Sequence, residues 1–225
     1  LQSTRDAIRK EGYVVLVEGY MDFLKLYQSS IYPVVSVSGT AFTSKHASSI
    51  SKITKKVILL YDGDDAGGNA AIRAGLVLLK SGMVPTIVRP PDGLDPDDWI
   101  EQSSKAKVLS AIQSPKEYID FHIELYNGNE LIGSDRQEYI IKLSKEIKSI
   151  EDGVIRNDLI KVISEKLSIN EHDLIKSVNT QRVNPDTNYE DEIDNKEKVI
   201  FSSKIDKAQV ELIQLLISND HAIKR

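Results

Sequence analysis

Residues 13–22 read Tyr-Val-Val-Leu-Val-Glu-Gly-Tyr-Met-Asp (YVVLVEGYMD), and the fold class follows from them. Tyr13–Val17 is a bulky, β-favouring run with no polar alternation, which predicts a strand buried on both faces. Glu18-Gly19 ends it, and a short helix is expected from Tyr20 to about Gln28. The same grammar repeats downstream. Val34–Val37 predicts a second strand, and Thr43 caps a helix reaching about Ile53. Val57–Tyr61 (VILLY) predicts a third strand, and Asp62 to Gly68 a turn. Asn69–Lys80 predicts a helix with Ile72, Leu76 and Leu79 on one face, closed by Gly82. Thr86–Val88 is the fourth strand. Strands alternating with helices in this way make an α/β fold, a largely parallel sheet flanked by helices.

From about Asp97 the β signal stops. Helices are expected over 104–112, 115–126, 135–148, 157–167 and 171–178, with Asp135 and Asn170 as N-caps and Pro115 in a first turn. An all-α subdomain therefore follows the sheet. Residues 179–198 are polar and contain Pro185, which suits a linker; 204–218 resume an apolar helix with Ile205, Val210, Ile213 and Leu216 inward. The expected division is 1–102 for the α/β domain, 103–178 for the helical subdomain, 179–203 for the linker and 204–225 for the start of a further region.

Composition narrows the function. Of the 225 residues 40% are hydrophobic and 28% charged, enough apolar material for a packed core. No run of about 18 apolar residues exists, so no membrane span is expected. With no cysteine in the chain, neither a disulfide framework nor a thiolate zinc site is available. No leader pattern opens the chain, so the expected setting is cytoplasmic, and Leu1 in place of Met suggests a piece of something longer. The net charge of −5 argues against a dedicated nucleic-acid binder. Residues 1–100 are balanced, with 11 basic and 11 acidic side chains, but the acids cluster.

Those clusters carry the chemistry. Glu18 and Asp22 follow the first strand; Asp62, Asp64 and Asp65 follow the third; Asp95, Asp97 and Asp98 follow the fourth. In an open parallel sheet these positions share the carboxyl edge, where ligands collect. Two carboxylates about 4 Å apart repel by roughly 4 kcal/mol at an effective dielectric near 20. A hard divalent cation relieves that conflict, and oxygen-only ligands point to Mg2+ or Mn2+. Gly63, Gly67 and Gly68 allow close backbone approach to a phosphate, next to the positive end of the following helix. An Asp after a strand is also an ordinary turn former or cap, a reading that weighs most for Asp65 and Asp98, and Asp22 taken alone reads equally as a solvated first-turn acid. The joint pattern of Glu18, Asp62 and Asp64 is hardest to explain that way. His46 is a phosphate contact or a structural histidine, and His122, His172 and His221 are scattered. Lys45, Lys52, Lys55, Lys56, Arg73 and Arg89 are weak nucleic-acid candidates, since most such charges face water, and Trp99 reads as packing.

EGYMD (18–22), SGTAFT (38–43), YDGD with Ala66-Gly67 (61–67) and DGLDPD (92–97) together resemble the TOPRIM segment of bacterial DnaG-type primases. The likeness is specific over about 13–102 and looser to about 178. It implies a TOPRIM-type fold and synthesis of short RNA primers for DNA replication by metal-dependent nucleotidyl transfer. By that resemblance Glu18, Asp62 and Asp64 are catalytic and bind Mg2+ or Mn2+, with Asp22, Asp95 and Asp97 supporting them or a second ion. Gly19, Gly39 and Thr40 join Gly63, Gly67 and Gly68 as nucleotide or phosphate contacts. The implied partners are a single-stranded DNA template, ribonucleoside triphosphates and a replicative helicase, the last through a missing C-terminal region; the implied setting is a monomer in the bacterial cytoplasm.

The family's zinc-binding module and the basic half of its core are not represented, so this chain is expected to bind metal, carry no zinc and prime poorly alone. Three alternatives use the same residues differently: a metal-dependent TOPRIM nuclease or phosphotransferase, a phosphatase with Asp62 as nucleophile, and a non-catalytic helicase-docking module.

Overall fold

A computed structural model describes residues 2–37 and 41–181. Helix α1 (Gln2–Glu11) leads into β1 (Tyr13–Val17), α2 (Tyr20–Gln28), β2 (Val34–Ser36), α3 (Ser44–Ser51), β3 (Lys56–Leu60), α4 (Asp65–Lys80) and β4 (Val84–Val88). Then come α5 (Pro96–Gln102), α6 (Lys105–Gln113), β5 (Lys116–Glu117), α7 (Tyr118–Leu125), α8 (Gly133–Lys148), α9 (Gly153–Leu167) and α10 (Glu171–Thr180).

The strands form one sheet in the order β2-β1-β3-β4-β5, parallel except for the last pair. Alternation along the central strands sends their side chains to two separate cores. Val14 and Leu16 of β1, with Val57, Leu59 and Tyr61 at β3, pack on the face carrying Ile72, Leu76 and Leu79 of α4. That core continues into the later helices through Phe121, Leu143, Ile160 and Leu174. Val15, Val17, Ile58 and Leu60 pack the opposite face against Leu26, Trp99, Ile100 and Val108. Trp99 is thus a packing residue, as its setting in the sequence suggested.

The α/β reading holds, with local corrections. The turn expected over 62–68 is shorter, because α4 begins at Asp65 with Asp64 as its N-cap. A separate helix, α5, follows Asp95. The segment expected to be all-α returns β5, two residues paired antiparallel with β4, so Pro115 precedes a strand rather than opening a helix. No local pattern marks Lys116–Glu117; the free edge of β4 supplies the hydrogen bonds that make it a strand. Helix α1 was not expected, since Ala7 and Ile8 are its only apolar residues, yet Ile8 is buried. Asp135 lies inside α8 rather than capping it, whereas Asn170 caps α10 as expected. Helix α10 runs to Thr180, past the expected linker start. The expected linker from 182 and the apolar helix at 204–218 lie outside the described residues.

Candidate active site

Glu18 leaves β1 and Asp62 leaves β3, and these strands are parallel neighbours in register (Leu16 opposite Leu59), so both acids emerge at the same edge. Asp95 reaches that edge from the loop after β4. Together with Gly19, Tyr20, Met21 and Asp22 they line a cleft of about 430 Å3. The three acidic clusters therefore do converge through topology rather than through sequence proximity.

Their side chains are committed very differently. Asp22 is only 7% exposed. One of its oxygens accepts the N–H of Gly19 at 2.9 Å, a reciprocal cap on α2, and the other accepts the N–H of Asp97 at 3.3 Å. Asp64 accepts from Gly67 N–H at 2.7 Å and Asp95 from Asp98 N–H at 2.6 Å, so each caps the helix that follows it. The capping role, weighed in the sequence for Asp65 and Asp98, falls one turn position earlier in α4 and three residues earlier in α5. Asp97 pairs with Lys25 at 3.5 Å, and Lys25 also holds Glu101 at 3.0 Å.

Glu18 and Asp62 are the uncommitted pair. Oε1 of Glu18 is buried with no hydrogen-bond partner. No hydrogen bond engages the Asp62 carboxylate among the described residues. The Glu18 carboxyl is raised to about 7, chiefly by burial, with Asp62, Asp22 and Asp64 contributing to the rise and Arg73 opposing it. Asp22 is raised to about 6, chiefly by burial, with its two backbone N–H donors working against the shift. Asp62 is also raised, first by burial and then by Asp95 and Asp64. Crowded, desolvated carboxylates of this kind are stabilised by a proton or by a cation.

The donor set suits a hard cation: every acid at the rim offers oxygen, and the buried Glu18 Oε1 lacks a hydrogen-bond partner. Among the described residues, however, no three acidic side chains form a ready-made cage. A cation held by one or two of these carboxylates would complete its shell with water or other oxygen ligands.

Residues 15–100 match the family described as Toprim-like. The chain is 31% identical over 173 residues to the DNA primase of Staphylococcus epidermidis, covering 76% of this chain and 29% of that protein. It superposes on the Aquifex aeolicus primase (zinc-binding and RNA polymerase domains) with a TM-score of 0.66 and 34% identity, over 77% of this chain and 42% of that one. Residues 15–100 are a TOPRIM region of the bacterial DnaG-primase type. A DnaG primase catalytic domain bound to ssDNA gives a TM-score of 0.63 at 26% identity, over 75% of this chain and 56% of that one. The chain thus spans less than a third of the length of the curated relative (29%).

The remaining candidates are scattered around the TOPRIM region. Arg73, on α4, lies close enough to act on Glu18. Lys56 opens β3 at the opposite end of the sheet from Asp62, and Lys45 is exposed on α3. Gly39 and Thr40 lie outside the described residues. The other glycines have neighbours in this chain where a Cβ would sit. For Gly63 they are the carbonyls of Pro91 at 2.4 Å and Pro90 at 2.8 Å; for Gly67, the carbonyl of Asp62 at 2.5 Å. For Gly68 it is Leu125 at 2.9 Å, and for Gly19 the Asp22 carboxylate at 2.7 Å.

His46 is structural: its Nδ1 accepts the Thr43 N–H at 3.2 Å, completing the cap of α3. His122 is fully buried, between Tyr139 (2.9 Å) and Glu146 (3.1 Å). Sequence reading missed the Tyr61 hydroxyl, which is buried without a partner and electrostatically coupled to Glu18. Its place beside Glu18 was available only from strand register.

Proposed function

We propose that this chain is part of a DNA primase that joins ribonucleotides on a single-stranded DNA template, and that Glu18 and Asp62 are its principal metal ligands. The supporting observation is the buried, unpartnered Glu18 oxygen at the edge where Asp62 also emerges. Asp64 would assist with the oxygen left free by its helix cap. Asp22, Asp95 and Asp97 would set the shape of the cleft, with any contact to a second ion coming after their structural bonds. The cation, Mg2+ or Mn2+, would supply charge neutralisation at a nucleotide phosphate when bound.

The protein's own part is to hold the acids desolvated, to keep Glu18 near neutrality in proton affinity, and so to let it release or take a proton at the reacting hydroxyl. Gly19 and the Gly63–Gly68 turn would border the triphosphate, with Gly39 and Thr40 as further candidates. Lys45, Lys56 and Arg73 are the proposed nucleic-acid contacts, Arg73 being the one that faces the acids electrostatically. We divide the chain into a TOPRIM domain over 1–102, a helical subdomain over 103–178, a linker over 179–203 and the start of a helicase-binding region from 204. A cytoplasmic monomer, acting with a replicative helicase, fits this reading. Among the described residues no helix is long and apolar enough to cross a membrane.

Titration with Mn2+ followed by electron paramagnetic resonance tests the site. Binding by the wild type and its loss in Glu18→Gln and Asp62→Asn is expected; equal binding by all three contradicts the assignment. Template cleavage that needs metal but no nucleotide would assign a nuclease instead.

A further inference from the structure

Arg89 was read in the sequence as a possible nucleic-acid contact, yet its side chain is turned onto the protein and is 27% exposed. Its Nε donates to the carbonyl of Gly63 at 2.8 Å, and Gly63 is the residue between Asp62 and Asp64. The guanidinium also donates to Asp65 at 3.2 Å and lies 3.7 Å from Asp92. We propose that Arg89 is a positioning residue that clamps the Asp62-Gly63-Asp64 segment against the loop after β4, setting the carboxylates for the cation. This rests on the metal-binding role proposed above and extends it to a residue outside the acidic clusters.

The Gly63 peptide is held on every side. Its N–H donates to the carbonyl of Leu94 at 2.8 Å, and its carbonyl accepts from Arg89. The missing Cβ lets the carbonyls of Pro90, Pro91 and Leu94 approach to within 3.0 Å of where that atom would be. The two peptide groups flanking the Gly63 Cα are therefore each anchored through one polar group, and the backbone that carries Asp62 and Asp64 is fixed with them. The two ion pairs do not explain the arrangement, because Asp65 and Asp92 are 89% and 96% exposed. Pairs that open to water contribute little. The charge-assisted bond to a buried glycine's carbonyl is the strong contact.

Arg89→Ala separates positioning from charge because the two predict opposite signs. Removing a positive charge near an acidic rim, by itself, strengthens cation binding. Loss of positioning weakens it, by tenfold or more if the clamp behaves as other groups supporting metal ligands do. The experiment measures Mn2+ affinity together with backbone amide exchange over residues 61–68 in metal-free protein. The expected result is weaker Mn2+ binding and faster exchange at Gly63 and Asp64, with exchange in β1 and β3 unchanged. Unchanged exchange in the 61–68 segment, or tighter Mn2+ binding, overturns the proposal. Arg89→Met, which keeps the aliphatic stem without a donor, is judged by the same readouts if Arg89→Ala does not fold. A wild type that binds no Mn2+ refutes the metal site, whereas the exchange measurement still decides whether Arg89 holds the loop.

Discussion

Asp22 accepts the backbone N–H of Asp97 at 3.3 Å, joining the first turn of α2 to the first turn of α5 across 75 residues of chain. The same carboxylate closes the start of its own helix by accepting from Gly19 at 2.9 Å. Asp22→Ala should therefore cost about 2–3 kcal/mol of stability, the loss of two charge-assisted backbone bonds in a buried setting. Asp22→Asn should cost less, since an amide oxygen can still accept from one of the two donors. Urea unfolding measures both; an alanine variant as stable as the wild type would show that these bonds do not hold the two helices together.

The acidic rim should make stability depend on pH with an unusual sign. Glu18 is raised from 4.5 to about 7, so the folded state keeps a proton that the unfolded chain has already released. Without divalent metal, stability falls as pH rises from roughly 4.5 to 7 and stays low above that. Asp22, raised to about 6, adds to the lower part of the same slope. Glu18→Gln should flatten the slope and be more stable than the wild type at pH 8. Added Mn2+ should restore the wild type at high pH and act weakly below pH 6, where protons compete for the same oxygens. Thermal melts across pH test this, and a wild type whose stability rises steadily from pH 5 to 8 would be inconsistent with it.

Gly63→Ala should damage the site more than an exposed loop substitution would. The added Cβ would lie 2.4 Å from the Pro91 carbonyl and 2.8 Å from that of Pro90, and neither is the end of a flexible side chain. The loop must shift, with a loss of roughly 1–3 kcal/mol. Mn2+ affinity should fall along with it, because Asp62 and Asp64 flank the displaced residue. Alanine at Gly93, where no atom lies within 4 Å of the Cβ position, is the contrast: its strain is local to a positive φ of 79°. It should leave Mn2+ binding near wild type. Equal effects at the two glycines would contradict the crowding argument.

His122 belongs to the stability of the helical half. It bridges the Tyr139 hydroxyl on α8 and the Glu146 carboxylate about two turns further along the same helix, from a fully buried position on α7. Truncation to alanine leaves a buried carboxylate and hydroxyl without that partner and opens a cavity. A cost of about 3 kcal/mol is expected. Mn2+ binding at the rim should be unaffected in the fraction that stays folded. A variant that melts like the wild type would refute the bridging role.

Sequence alone determined the parallel α/β sheet, because unbroken apolar runs such as Tyr13–Val17 and Val57–Tyr61 alternate with helical stretches that can cover both faces of the strands. It also determined that Glu18, Asp22, Asp62, Asp64, Asp95 and Asp97 gather at one edge, since each follows a strand at its carboxyl end. Which of these acids are free was decided by the tertiary structure. Asp22 is occupied by the N–H of Asp97, Asp64 and Asp95 by the helices they start, and Glu18 by nothing at its buried oxygen. The same holds for β5, Arg89 and His122, whose roles depend on partners supplied by distant chain. A hydrophobic run carries its burial in its own composition, whereas a hydrogen-bonding group acquires its role only when loop closure brings a specific donor or acceptor within 3 Å or so.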